Sequence, residues 1–168
     1  VNFWDAADQY GSHPHVAEAL KRVDRDKVVI ASKTTAKRRR KVTQDVDRFL
    51  KEMATDVIDV VLLHGLKNGN WPQQYQDAME ALRDAKEAGK VRAVGFSCHG
   101  LGALKAGGTN DWVDVVLVRI NHAGVNMDDT PEKVAPVIED LHAAGKGVYA
   151  MKVLGCGRLN DVRQAFDY

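Results

Sequence analysis

Only two cysteines, Cys98 and Cys156, occur in the 168 residues, and they do not form a C-x-x-C pair. Two lone cysteines fit a reducing, cytoplasmic compartment rather than an oxidising one. Neither sign of charge is in excess: 24 Lys and Arg face 23 Asp and Glu, a net charge of +1. That balance removes the usual reason to expect nucleic acid or an anionic membrane as partner. No apolar run approaches the ~18 residues that would cross a bilayer. No signal peptide is visible, because the sequence opens at Val1, without a Met, directly into a strand pattern. A chain that starts and stops in this way reads as part of a larger protein, or as one whose ends were removed. A glycine-rich G-x-G-x-x-G turn is also missing: the first strand runs instead into DAADQYGSH. This argues against an open dinucleotide-binding sheet, which carries that fingerprint after its first strand.

What the chain has is alternation. With 45% hydrophobic and 28% charged residues it has the composition of an ordinary globular domain, and residues 1–168 suit a single core. Strand patterns cover residues 1–5, 27–33, 57–64, 91–99, 113–122 and 147–152. They are continuous apolar runs (VVIAS, VIDVVLL, VRAVGF, VVLVRI, GVYAM), as expected of parallel strands covered on both faces. Between them runs the helical period. Thr43 is the expected N-cap of a helix over 43–53, with Val46, Phe49, Leu50 and Met53 on one face. A second helix is expected over 71–88 and stops at Gly89. A third runs over 130–144, with Thr130 as N-cap and Pro131 in the first turn. Shorter helices are expected over 14–23 and 101–108. The class is therefore α/β with a parallel sheet.

Nearly every strand ends in a reactive polar residue: Asp5 with Tyr10 beyond it, Lys33, His64, the run Ser97-Cys98-His99, Asn121-His122, and Lys152. In a closed barrel the C-terminal strand ends meet on one face, where chemistry is done. A full (β/α)8 barrel has eight units and about 250 residues, so six units leave two unaccounted for. The bare edges of such a piece favour self-association, and the oligomeric state is otherwise open. Among these residues Asp5, Tyr10, Lys33 and His64 make a chemical set. An ammonium beside a phenol is expected to lower its pKa, a carboxylate holds the ammonium, and an imidazole can orient a carbonyl. The set is a proton donor for a carbonyl that receives a hydride.

Four segments in order, NFWDAADQYG, DKVVIASK, DVIDVVLLHG and KVRAVGFS, resemble the aldo-keto reductase family. The resemblance spans nearly the whole chain. It implies a (β/α)8 TIM barrel of aldo-keto reductase type, with these strands as the second to seventh and residues 1–168 as one partial barrel domain. It implies an NAD(P)H-dependent reduction of a small-molecule aldehyde or ketone, with NADPH the usual cofactor and NADH possible. Tyr10 would be the general acid, Lys33 its partner, Asp5 the partner of Lys33, and His64 the substrate-orienting residue. Ser97, Cys98, Asn121, Met151, Lys152, Leu154 and Gly155 would hold the cofactor, and Trp4 would line the substrate site. Three positions depart from the common pattern: Cys98 stands where many members have Asn, Leu117 where a Gln is usual, and Met151 where an aromatic often stacks. The MK-x-LG-x-G run resembles a divergent, mainly microbial branch, some of whose members carry an iron–sulfur extension; this chain lacks the cysteine cluster for one.

Other readings compete. The altered contacts would suit a nicotinamide-binding regulatory module of weak or no activity. His13-Pro14-His15 is an H-x-H, and with His64, His99 and His122 it makes a metal-dependent hydrolase imaginable. A loop position or a pocket rim is the plainer expectation for that motif, and no metal is expected. Lys37 to Lys41 could grip a phosphate or an acidic substrate, although a basic loop is usually only solvated. Lys152 could form a Schiff base only with a depressed pKa, and Cys98 reads as a buried small residue rather than a nucleophile.

Overall fold

A computed structural model describes residues 1–168. The strands are β1 (Phe3–Asp5), β2 (Val29–Thr34), β3 (Ile58–Leu66), β4 (Val91–Cys98), β5 (Val115–Arg119) and β6 (Gly147–Met151). The helices are α1 (His13–Leu20), α2 (Arg39–Met53), α3 (Trp71–Gln74), α4 (Gln76–Glu87), α5 (Leu101–Gly108), α6 (Pro131–Ala143) and α7 (Val162–Asp167). The six strands follow one another in chain order in a single sheet. Strand order and alternation are those of a (β/α) barrel, as the polar strand ends and the family resemblance implied. By packing, the chain divides into two compact units. One is Val1–His64 with Gln73–Phe96, the other Gly65–Pro72 with Ser97–Tyr168. No helix is long and apolar enough to cross a membrane.

In the first unit β1, β2 and β3 pair in parallel. Asp5 stands opposite Ala31, and Lys33 opposite Leu62. Ile30, Ala31, Val61, Leu62 and Leu63 are wholly buried, so these strands are covered on both faces. Helix α2 turns Val42, Val46, Phe49 and Met53 inward at helical spacing. In the second unit β5 pairs with β6 in parallel, from Val115 opposite Gly147 to Arg119 opposite Met151.

Several boundaries differ from the sequence expectation. Helix α2 begins at Arg39, a full turn before Thr43, whose hydroxyl donates to the Arg39 carbonyl at 3.1 Å instead of capping. Arg and Lys are good helix formers, and Arg39 is held by Glu80, at 2.9 Å, and Asp84 of α4. The helix expected over 71–88 is two, because the backbone of Tyr75 leaves the helical region at φ −114° and ψ 17°. Strand β5 stops at Arg119, so Asn121 and His122 belong to the loop that follows. His13-Pro14-His15 lies inside α1, and His13 is buried rather than on a loop or rim.

Candidate active site

Asp5 closes β1, and the register puts it on the same face of the sheet as Ala31 and, two residues on, Lys33. The Lys33 side chain is fully buried. Its Nζ donates to Asp5 Oδ2 at 2.6 Å and to the Ala6 carbonyl at 2.8 Å. Tyr10 ends a 3-10 turn over Asp8–Tyr10, which Gly11 terminates at φ +63°. Lys33 Nζ lies 5.0 Å from the centre of the Tyr10 ring. The His64 ring meets the Tyr10 ring edge to face, with centroids 5.8 Å apart and planes at 84°. Asp5, Tyr10, Lys33 and His64 are thus brought together. Behind His64, Gly65 has φ +74°, a conformation that a side chain would strain.

Electrostatics corrects one expectation. The ammonium does not pull the Tyr10 phenol down; although more than half of the residue is exposed, the partial loss of water around it raises it above its ordinary value, and the Asp5 carboxylate adds to the rise. Tyr10 therefore keeps its proton at neutral pH and has it available to donate. Burial depresses Lys33, while the hydrogen bond and charge of Asp5 oppose that loss and favour the ammonium. Burial also lowers His64, the Lys33 charge lowers it further, and Asp5 opposes both. His64 is held as a neutral imidazole, which can donate to an oxygen without bringing a charge. Trp4 is not brought to this cluster, since the strand period places it with Ile30 on the opposite face from Asp5 and Lys33.

The second unit holds the other residues singled out by sequence. Ser97 is buried, and its Oγ accepts the Gly65 N–H at 2.7 Å, which leaves the hydroxyl proton to donate elsewhere. Burial pushes the Cys98 thiol up to about 12, so it stays protonated, and it donates to the Gly100 carbonyl at 3.2 Å. Leu117 is buried in β5, opposite Tyr149. Asn121 was expected to touch a ligand directly, but its amide is fully engaged. Nδ2 donates to the carbonyls of Val125 (2.8 Å) and Lys152 (3.0 Å), and Oδ1 accepts the N–H groups of Ala123 (3.2 Å) and Val125 (3.0 Å). Two donors and two lone pairs are all it has. Asn121 instead ties the loop after β5 to the turn after β6.

That turn follows Met151. Lys152 has φ +66°, and Gly155 Nα donates to the Lys152 carbonyl at 2.7 Å. A Cβ on Gly155 would come within 3.0 Å of Val125, and its φ is +55°, so both space and conformation require glycine. Leu154 lies half-buried in the same turn.

His13 of the H-x-H and several residues of the basic run are engaged by other side chains. His13 Nδ1 pairs with Glu52 at 2.7 Å and Nε2 with Ser32 Oγ at 2.8 Å. No group of three or more His, Cys, Asp or Glu side chains could hold a metal ion. In the basic run, Lys37 sits 4.9 Å from the Tyr75 ring centre, Arg38 is 3.8 Å from Asp77, and Lys41 is 2.6 Å from Asp45. Sequence reading passed over Arg48, Asp8 and Glu52, although Asp45, Arg48 and Glu52 at spacings of three and four share one helix face.

Comparison with known proteins gives concordant findings. The family model described as "Aldo/keto reductase family" matches residues 1–165. The chain is 32% identical over 101 residues to 2,5-diketo-D-gluconic acid reductase B of Corynebacterium sp. (strain SHS752001), covering 55% of the chain and 34% of that protein. The holo form of an aldo-keto reductase of Bacillus halodurans superposes with a TM-score of 0.77 at 21% identity, over 96% of this chain and 55% of that one. A Bombyx mori aldo-keto reductase in complex with NADP gives a TM-score of 0.70 at 20% identity, over 90% of this chain and 52% of that one. The chain thus spans between about a third and about half the length of these relatives.

Proposed function

Because the chain belongs to the aldo/keto reductase family, we propose that it serves a nicotinamide-dependent reduction of a small aldehyde or ketone, with Tyr10 as the proton donor. The observation that carries this reading is the buried Lys33 ammonium, bonded to Asp5 at 2.6 Å and lying 5.0 Å from the Tyr10 ring.

The bound reduced nicotinamide would supply a hydride to the carbonyl carbon. The protein's own residues manage the oxygen. As negative charge grows there, the Tyr10 O–H would give up its proton to it, with the Lys33 ammonium offsetting part of the Asp5 charge beside the phenolate left behind. Asp5 keeps the Lys33 ammonium in place against the cost of its burial. His64, neutral, donates one N–H to the same oxygen and fixes the direction of approach. Hydrogen-bonding capacity decides which residues fit the cofactor. Ser97 retains a proton to donate, so it would hold the carboxamide. Met151 would pack on the ring without an aromatic's defined stacking. The turn over Lys152, Leu154 and Gly155 would offer backbone groups, and Asn121 would act by fixing that turn. NADPH is the proposed cofactor, in line with the NADP complex of the Bombyx mori relative.

The test is a titration of the purified protein with NADPH and with NADH, following tryptophan fluorescence, and then turnover across a panel of aldehydes. Saturable NADPH binding with turnover is expected. Failure to bind either nucleotide would overturn the reading. Tight binding without turnover would point instead to a cofactor-binding module.

A further inference from the structure

Tyr10 stands on a turn whose start, at Ala6 and Ala7, is buried, but none of Asp8–Tyr10 is. A proton donor on such a turn needs something to fix it, and the structure supplies a charged grip from outside the cluster. Arg48, on α2, reaches Asp8 with Nη1 at 2.9 Å from Oδ1. The same guanidinium is held on its own helix by Asp45 Oδ1 at 3.0 Å and Glu52 Oε1 at 3.0 Å. It lies 5.0 Å from the centre of the Phe49 ring, which is wholly buried. Arg48 is therefore a fixed fork, and its planar, permanently charged head suits that task better than a lysine.

The two carboxylates that hold Arg48 also hold the lysine strand. Asp45 Oδ2 accepts the Thr34 hydroxyl at 2.7 Å. Glu52 Oε2 reaches His13, whose other ring nitrogen meets Ser32 Oγ at 2.8 Å. Ser32 and Thr34 flank Lys33 on β2 and, by the strand period, face away from it. One helix thus grips both sides of the Lys33 position from behind, and the Tyr10 turn from the side.

Resting on the proposed role of Tyr10, we propose that Arg48 is a positioning residue that acts through Asp8 to hold Tyr10 at the distance from Lys33 that proton transfer requires. It touches neither substrate nor cofactor. A misplacement of about 1 Å at a reacting group can lower turnover about a hundredfold.

The experiment compares steady-state kinetics of Arg48→Met, Arg48→Lys, Asp8→Ala, Tyr10→Phe and Arg39→Met. The expected result is a fall in kcat of about ten- to a hundredfold in Arg48→Met and Asp8→Ala, with both KM values within about twofold. Arg48→Lys should recover part of the loss, because it restores the charge but not the fork. Arg39→Met, which breaks an ion pair of the same helix with α4, should leave kcat unchanged. Should Arg48→Met fail to fold, Asp8→Ala decides alone, since it removes the grip at a half-buried side chain. Unchanged kcat in folded Asp8→Ala overturns the proposal, and so does a loss of equal size in Arg39→Met. Full activity in Tyr10→Phe would instead overturn the reading on which the proposal rests.

Discussion

Lys33 is the residue on which two opposing demands meet. Burial depresses its pKa despite the carboxylate of Asp5, so the native site holds a charge that it disfavours. Asp5 keeps about a third of its side chain in solvent, at 35% exposure, and could take water in place of the ammonium. Lys33→Met is nevertheless expected to lower unfolding free energy by about 1–3 kcal/mol while turnover collapses, because it leaves the buried Ala6 carbonyl without its donor and Asp5 without its ammonium. An unchanged urea midpoint would contradict this. Cys98 and Cys156 make a second contrast. The first is buried with a thiol pushed up to about 12; the second is exposed. A disulfide reagent at neutral pH is expected to label Cys156 rapidly and Cys98 only after denaturation; fast labelling of both in the native state would show the burial to be wrong. The residue scale is also where sequence reading was least complete. Residue types and strand ends pointed to Asp5, Tyr10, Lys33 and His64. They could not give the direction of the Tyr10 shift, which depends on how deeply the phenol sits. Nor could they reveal that Asn121 has no hydrogen-bonding capacity left over.

At the scale of elements, apolar runs and helical spacing located the strands and most helices, because burial on both faces of a parallel strand leaves a plain mark. Helix ends were less legible. The start of α2 is fixed by Arg39 reaching Glu80, some forty residues away, and no local signal carries that. Its end lies at Ala54, exposed and held at φ +52°. Alanine is strained there and glycine is not. Ala54→Gly is expected to raise unfolding free energy by about 0.5–1 kcal/mol, read from urea denaturation; a destabilised variant would mean that the αL cap is not populated. The break at Tyr75 was equally hidden, since the apolar spacing continues across it.

For the whole molecule, the polar network around α2 sets an acid limit on stability. Burial alone would raise Asp45, but hydrogen bonds from Lys41, Thr34 and Arg48 outweigh it and hold the carboxyl below its usual range. Burial likewise works against Glu52, which His13 and Arg48 nevertheless hold down. Folded pKa values below the unfolded ones mean that the native state binds fewer protons. This contribution is then fully present above about pH 5 and is lost as pH falls through the folded values. The Tm of the protein should drop between about pH 5 and pH 3, and Asp45→Asn should flatten that drop. Parallel curves for the two proteins would exclude the network as the cause.

The account turns on Tyr10 as a protonated donor. The most direct measurement is kcat for aldehyde reduction by Tyr10→Phe, taken together with its NADPH affinity by fluorescence titration. A fall in kcat of at least about a hundredfold, with affinity within about twofold of the parent, is the expected result. Turnover retained in Tyr10→Phe, with the cofactor bound, would contradict it.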